Sequence, residues 1–218
     1  MFKKRYLIIG FVVVVVIIVG LVLAKPYWKS GFGADVLKIN TTLTLNETQE
    51  KTLSNIKESL AKDPSDYLAL LDLAKLKQSL LDNAGAEKMY LKLSKINAAD
   101  ILPLNNLASL YVDTKRYDEA EKTYLAIFNI NYKWLNAYQG LYDLYQFQLP
   151  ERRAKLEPIL LKGIEEFPEM KSALLNMTAV YYDELMNDKI KAIEYYKKTI
   201  ERDPTKKDAK DRLTQLLK

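Results

Sequence analysis

The chain contains no cysteine and no histidine. Disulfides, thiolate nucleophiles, histidine metal ligands and imidazole acid–base catalysis are therefore excluded. The missing cysteine does not fix a compartment, because exported chains that fold without disulfides share it with many cytosolic ones. Glycine and proline are scarce, at seven each in 218 residues. No glycine-rich phosphate loop and no metal-ligand spacing occurs. A global basic field is lacking too. The formal charge is +5, from 33 Lys and Arg against 28 Asp and Glu. However, Lys3, Lys4, Arg5, Lys25 and Lys29 all precede the first acid, Asp35, which leaves residues 35–218 neutral. That balance argues against sequence-independent nucleic-acid binding. The chain is expected to use no nucleic acid, cofactor, metal or small-molecule substrate, and to have no catalytic residues.

Hydrophobic residues make up 49% of the chain but are unevenly placed. Leu7 to Ala24 is an uninterrupted run without a charge or an amide. As a helix it would span roughly 27 Å, close to the thickness of a bilayer's hydrocarbon core. Lys3, Lys4 and Arg5 precede the run, and Tyr27 and Trp28 follow it at the depth suited to the headgroup interface. A cleavable signal peptide has a shorter apolar run; Val22 and Ala24 offer a small-residue site, but the run continues to Lys25. The expectation is an uncleaved anchor over 1–24, with the basic head inside and the remainder on the extracytoplasmic side. Residues 25–46 read as a linker. Asn46 and Gln49 form a capping-box pattern ahead of Leu53, Ile56 and Leu60, which predicts a helix from about 47 that stops at Asp63-Pro64. The N-x-T sequons at Asn40 and Asn46 fit a polar linker and helix cap better than glycosylation.

From residue 64 the same letters return every 34 residues. Leu73, Leu107 and Leu141 keep that spacing, as do Ala86 and Ala120, Tyr90 and Tyr124, and Tyr111 and Tyr145. The interval lengthens to 36 between Tyr145 and Tyr181 and between Pro168 and Pro204. A fixed period of this size signals stacked supersecondary units that cannot bury their apolar faces alone. Small residues let two helices approach, while Tyr and Leu at helical spacing fill the seams.

The pattern resembles the tetratricopeptide repeat family. Residues 101–134 carry it most fully, with Leu104, Leu107, Ala108, Tyr111, Tyr117, Ala120, Tyr124 and Ile127. Residues 67–100 and 171–206 match fairly, and 135–170 least. The implied fold is all-α: a right-handed α-solenoid of about four helix pairs within 67–206, plus one N-terminal transmembrane helix. Residues 47–66 would cap one end of the array. At the other end 206–218 would do so, with Leu213, Leu216 and Leu217 covering the last seam.

The resemblance also implies a non-catalytic, membrane-anchored scaffold that binds a protein or peptide on the groove lined by the first helix of each pair. Carried onto this sequence, the groove residues are Leu71, Lys75, Asn105, Asn106, Ser109, Asn136, Gln139, Asp143, Asn176 and Tyr182. Assembly of complexes outside the cytoplasm is the expected role; the alternatives are a cytosol-facing receptor for delivered proteins and a self-associating structural protein. Chaperone-clamp members of the family hold a C-terminal carboxylate at five positions occupied here by Leu71, Lys75, Asn106, Asn136 and Gly140, of which only Asn106 matches. The adjacent acids Asp118 and Glu119, and Glu165 and Glu166, point about 100° apart on a helix and share no site. In the third unit Arg152, Arg153 and Lys155 lie in an insertion between Pro150 and Pro158, which reads either as a loop for an acidic partner or as a tolerated insertion.

Overall fold

The computed structural model describes residues 36–218. The expected anchor over 1–24 and the start of the linker lie outside them. Among the described residues the regular structure is entirely helical, and no helix is long and apolar enough to cross a membrane. The chain divides into two compact units, one ending at Asn97 and the other beginning at Ala98.

The first unit holds α1 (Glu47–Lys62), α2 (Tyr67–Ser79) and α3 (Asn83–Ile96). Side chains start each helix. Asn46 accepts from the Gln49 N–H at 2.9 Å while Gln49 returns the bond to the Asn46 N–H at 3.0 Å. Asp66 caps α2 through the Leu68 and Ala69 amides, and Asp82 caps α3 through the Gly85 amide. Such caps satisfy backbone donors that the first turn leaves unpaired. α2 packs against both α1 and α3. Leu60, Leu70, Leu73, Ala74, Ala86, Tyr90 and Leu93 are all buried there, and burying each Leu contributes about 1.5–3 kcal/mol.

Residues 36–40 are not a free tether, contrary to the linker expectation. Val36 is buried. The Lys77 ammonium donates to the Lys38 carbonyl, and the Asn40 N–H donates to Asp82 Oδ2 at 3.1 Å. The apolar period shows helix faces but not a lysine and an aspartate that together hold a backbone 42 residues away.

The second unit runs through α4 (Leu102–Asp113), α5 (Tyr117–Ile130), α6 (Leu135–Phe147), a 3-10 helix (Pro150–Lys155), α7 (Leu156–Glu166), α8 (Lys171–Val180), a π-helical turn (Tyr181–Leu185), α9 (Lys189–Arg202) and α10 (Lys207–Leu216). Successive helices pack on one another, and α4 also meets α6. After α5 and α9 Asx turns recur: Asn131 Oδ1 accepts from the Lys133 N–H, and Asp203 Oδ1 from the Thr205 N–H. In the first unit α1 ends the same way, at Asp63 and Ser65.

Within three helix pairs the turn passes through a left-handed residue: Leu81 (φ 61°), Lys115 (φ 59°) and Asn187 (φ 52°). Beside the first two, the Asp82 N–H bonds back to the Lys77 carbonyl at 2.9 Å and the Arg116 N–H to the Tyr111 carbonyl at 2.7 Å, the Schellman pattern. The third pair has no such residue; its insertion winds into the 3-10 helix instead. The fourth pair absorbs its extra length in the π-turn, where the Met186 N–H reaches the Tyr181 carbonyl at 3.1 Å.

Packing at the C-terminal helix differs from the expectation. Leu217 is 61% exposed, and Leu213 and Leu216 are only half-buried. Ala209 is the buried residue of α10, and Arg212 ties the helix to Asp183. A short helix docked through an alanine and an ion pair leaves its leucines at the rim.

Candidate partner-binding face

The first helices of the pairs supply the expected groove, and the ten residues assigned to it fall into three groups. Leu71 and Tyr182 are buried and present no open surface. Leu71 lies on α2, which has a helix packed on either side. Tyr182 lies in the π-turn, packed between α7 and α9. Its hydroxyl donates to Glu157 Oε1 on α7 at 2.5 Å, and Lys191 of α9 lies 4.6 Å from the ring centre.

Asn105, Asn106 and Asn176 are half-buried. Asn105 Oδ1 accepts from the Trp134 indole N–H at 3.1 Å, which fixes it against the start of α6. Asn106 Nδ2 is buried and meets no acceptor among the described residues.

Lys75, Ser109, Asn136, Gln139 and Asp143 are exposed. Lys75 pairs with Asp72 on the same helix of the first unit at 3.0 Å. The other four belong to the second unit. Gln139 Nε2 donates to Asp143 Oδ1 at 2.8 Å, one turn along α6.

Neither α4 nor α6 contains a lysine or arginine. Burial first, then the nearby Asp143 and Asp113, push the Tyr124 hydroxyl above its ordinary pKa. Tyr142 is raised by burial and by Glu184, whose Oε2 accepts the Tyr142 hydroxyl at 2.7 Å. Asp113, Asp143 and Glu184 thus gather around two tyrosines. Gly140 lets Tyr124 in: a Cβ there would overlap its ring carbon Cζ.

The tetratricopeptide repeat family model matches residues 103–133, which cover α4, its turn and α5. This helix pair is similar to a tetratricopeptide repeat. No curated protein matches the chain. Among solved structures, the crystal structure of MamA protein is 21% identical, with a TM-score of 0.50 over 69% of this chain and 80% of that one. A thermophilic TPR protein of Thermus thermophilus is 19% identical, with a TM-score of 0.50 over 78% and 90%. Pseudomonas aeruginosa pilF is 18% identical, with a TM-score of 0.52 over 71% and 68%. These likenesses concern the fold, and with the family match they support the tetratricopeptide repeat family.

Around the third TPR-like pair, the basic cluster is spoken for internally. Arg152 Nη1 lies 2.6 Å from Asp118 Oδ1 and 2.5 Å from Glu121 Oε2. Lys155 Nζ reaches Glu121 Oε1 at 2.8 Å, and Arg153 Nη1 donates to the Leu185 carbonyl at 3.3 Å. The loop's basic groups are thus engaged in packing of the TPR-like pairs. The residue pattern does not single out Glu121. It is buried and also accepts the Tyr145 hydroxyl at 2.8 Å. Burial alone would raise its carboxyl, but the bonds from Lys155, Tyr145 and Arg152 outweigh burial and hold it below the ordinary value. The available signal was the unbalanced Arg152, Arg153 and Lys155, which required a counter-charge. Of the adjacent acid pairs, Asp118 and Glu119 bond separately, to Arg152 and Arg116, and share no site. No group of three or more acids among the described residues is placed to hold a metal ion.

Proposed function

We propose that the protein is a membrane-anchored, non-catalytic scaffold that binds a partner protein on the α4–α6 face of its second unit. TPR proteins are generally protein–protein interaction scaffolds. The observation that carries the reading here is the exposed polar row Ser109, Asn136, Gln139 and Asp143 on helices without a cation. Amides both donate and accept, so the row suits a partner's backbone. The carboxylates Asp143 and Glu184 favour lysine or arginine on that partner, chiefly through association rate and specificity. The anchor rests on the apolar run Leu7–Ala24 and its basic head. That head favours an orientation with the helical units outside the cytoplasm, where they assemble other proteins near the membrane.

Two measurements test this. Photocrosslinkers placed at Asn136 and Gln139 in membranes are expected to trap a protein in a salt-sensitive manner, whereas crosslinks only from exposed α5 or α9 positions would move the site elsewhere. Protease added to the cytoplasmic side of sealed vesicles should leave the helical units intact. Digestion from that side would instead make the protein a cytosol-facing receptor.

A further inference from the structure

Leu81 is an unusual residue for its place. It stands in the turn between α2 and α3 at φ 61°, a left-handed conformation that disfavours any side chain with a Cβ. It is also 66% exposed, so little of its side chain is packed inside the unit. The other left-handed residues, Lys115 and Asn187, are polar. A large apolar side chain gains nothing from standing in water. Backbone strain beneath an exposed leucine points to a contact made outside the chain.

Leu43, itself 46% exposed, lines the same recess as Leu81, with Asn40, Thr41 and Thr42 between them. Thr41 Oγ1 accepts from the Leu43 N–H at 3.0 Å, which turns the segment there. Two leucines thus share one patch at the C-terminal end of α2. The path of the chain shows what lies near that patch. Val36 is buried, the Lys77 ammonium donates to the Lys38 carbonyl, and the Asn40 N–H donates to Asp82 Oδ2. These contacts fasten residues 36–40 beside the α2–α3 turn. The apolar run ends at Ala24, and the residues from there to Val36 can extend by at most about 40 Å. A chain anchored through Leu7–Ala24 therefore keeps the Leu43–Leu81 patch within that reach of the bilayer. Tethering raises the effective concentration of lipid at the patch, so even two leucines suffice for contact.

We propose that the partner of this patch is the lipid surface: Leu43 and Leu81 insert into the bilayer interface beside the anchor and hold the α2–α3 turn against the membrane. The inference rests on the membrane-anchor reading and extends it, giving the first unit a membrane-facing end. Leu68 supplies the internal contrast. It is 68% exposed, at the other end of α2, about 20 Å from Leu81 along the helix, and it stays in water.

The test uses the full-length protein in lipid nanodiscs. Because the chain has no cysteine, Leu43→Cys, Leu81→Cys, Leu68→Cys and Val15→Cys each create a single attachment point for a nitroxide spin label. Power saturation then compares collisions with oxygen, which concentrates in the bilayer, against collisions with a water-soluble nickel chelate. The oxygen-to-nickel ratio at positions 43 and 81 should be several-fold higher than at position 68. Adding Leu43→Asp to the chain labelled at 81 should lower the ratio there towards that at 68. Equal ratios at 81 and 68 would overturn the proposal. So would few collisions with either reagent at 81, which would mean that protein, from a second copy or another partner, covers the patch. The label at position 15 separates the two readings. Bilayer values at 15 with aqueous values at 81 defeat this inference and leave the anchor standing, whereas aqueous values at 15 defeat both.

Discussion

Glu121 Oε2 and Arg152 Nη1 lie 2.5 Å apart although 31 residues separate them in the chain. Glu121 is on α5 and Arg152 on the 3-10 helix that replaces the left-handed turn of the third pair. The contact explains how an irregular insertion stays ordered within a repeat. Its proline-started turn presents Arg152 and Lys155 to one buried carboxylate, and Tyr145 completes the shell.

Glu121→Gln should therefore destabilise the protein by roughly 2–3 kcal/mol, the scale of hydrogen bonds to a charged group. Because the Glu121 carboxyl is held below its ordinary value of 4.5 in the folded state, its stabilisation is complete above about that pH. It is lost as the pH falls through the lower folded value. Urea melts from pH 7 down to pH 3 should show the gap between wild type and Glu121→Gln closing below pH 4.5. A gap that stays constant across that range would show that packing, not ionisation, sets the loss.

The contrast between Glu121 and its neighbours shows what a residue pattern reveals. Tyr90 and Tyr124 recur at the repeat spacing, as do Tyr111 and Tyr145, and all four are buried, because equivalent positions of successive pairs face the packed interior. The Asn46–Gln49 box is equally legible, since both of its bonds close within three residues. Glu121 looks like any acid on a solvated helix face until its partners arrive 24 to 34 residues later. Lys77 hides similarly, as a charge among leucines whose acceptor is a backbone carbonyl 39 residues earlier. For the proposed binding face, repeat position put Ser109, Asn136, Gln139 and Asp143 on the surface, and all four are exposed. The same reasoning put Leu71 and Tyr182 there, because it carried neither the helix packed beyond α2 nor the contacts of Tyr182 with α7 and α9.

Gly163 marks a second close approach in the third pair, beside that at Gly140. A Cβ on this residue would lie 2.5 Å from the Tyr138 hydroxyl and 2.7 Å from Leu174 Cδ1. Both neighbours are fully buried, and Tyr138 is held by its bond to the Tyr132 carbonyl at 2.9 Å. Gly163→Ala should cost about 1–3 kcal/mol despite the better helix propensity of alanine, as overpacking outweighs the propensity gain. Thermal melting reads the effect; a raised melting temperature would mean that the α6–α8 seam yields freely.

The left-handed turns offer the opposite sign. Lys115 adopts φ 59°, a region that costs a residue with a Cβ roughly 1–2 kcal/mol. Lys115→Gly should stabilise the second unit, by about 0.5–1 kcal/mol after the greater chain entropy of glycine is deducted. Asn187→Gly, at φ 52°, should gain less, because asparagine already tolerates this conformation. Chemical denaturation of the two variants side by side checks the ranking. The reverse order would place the strain outside the backbone.

The C-terminal helix gives the most local test. Arg212 holds Asp183 with two bonds, Nε to Oδ2 at 2.6 Å and Nη2 to Oδ1 at 2.8 Å. The Asp183 side chain is 6% exposed and otherwise receives the Tyr196 hydroxyl at 3.2 Å. Arg212 is itself 45% exposed, so solvent weakens its side of the pair. Arg212→Met keeps the apolar stem and strands the carboxylate, and should cost roughly 2 kcal/mol. Much of that should return in Arg212→Met with Asp183→Asn, which removes the stranded charge. Because α10 buries little besides Ala209, the loss should appear as local opening. Hydrogen exchange of residues 207–216 should quicken in Arg212→Met while α4 and α5 keep their protection. If α10 exchanged at its original rate, the alanine contact alone would hold the helix, and the ion pair would be incidental to its docking.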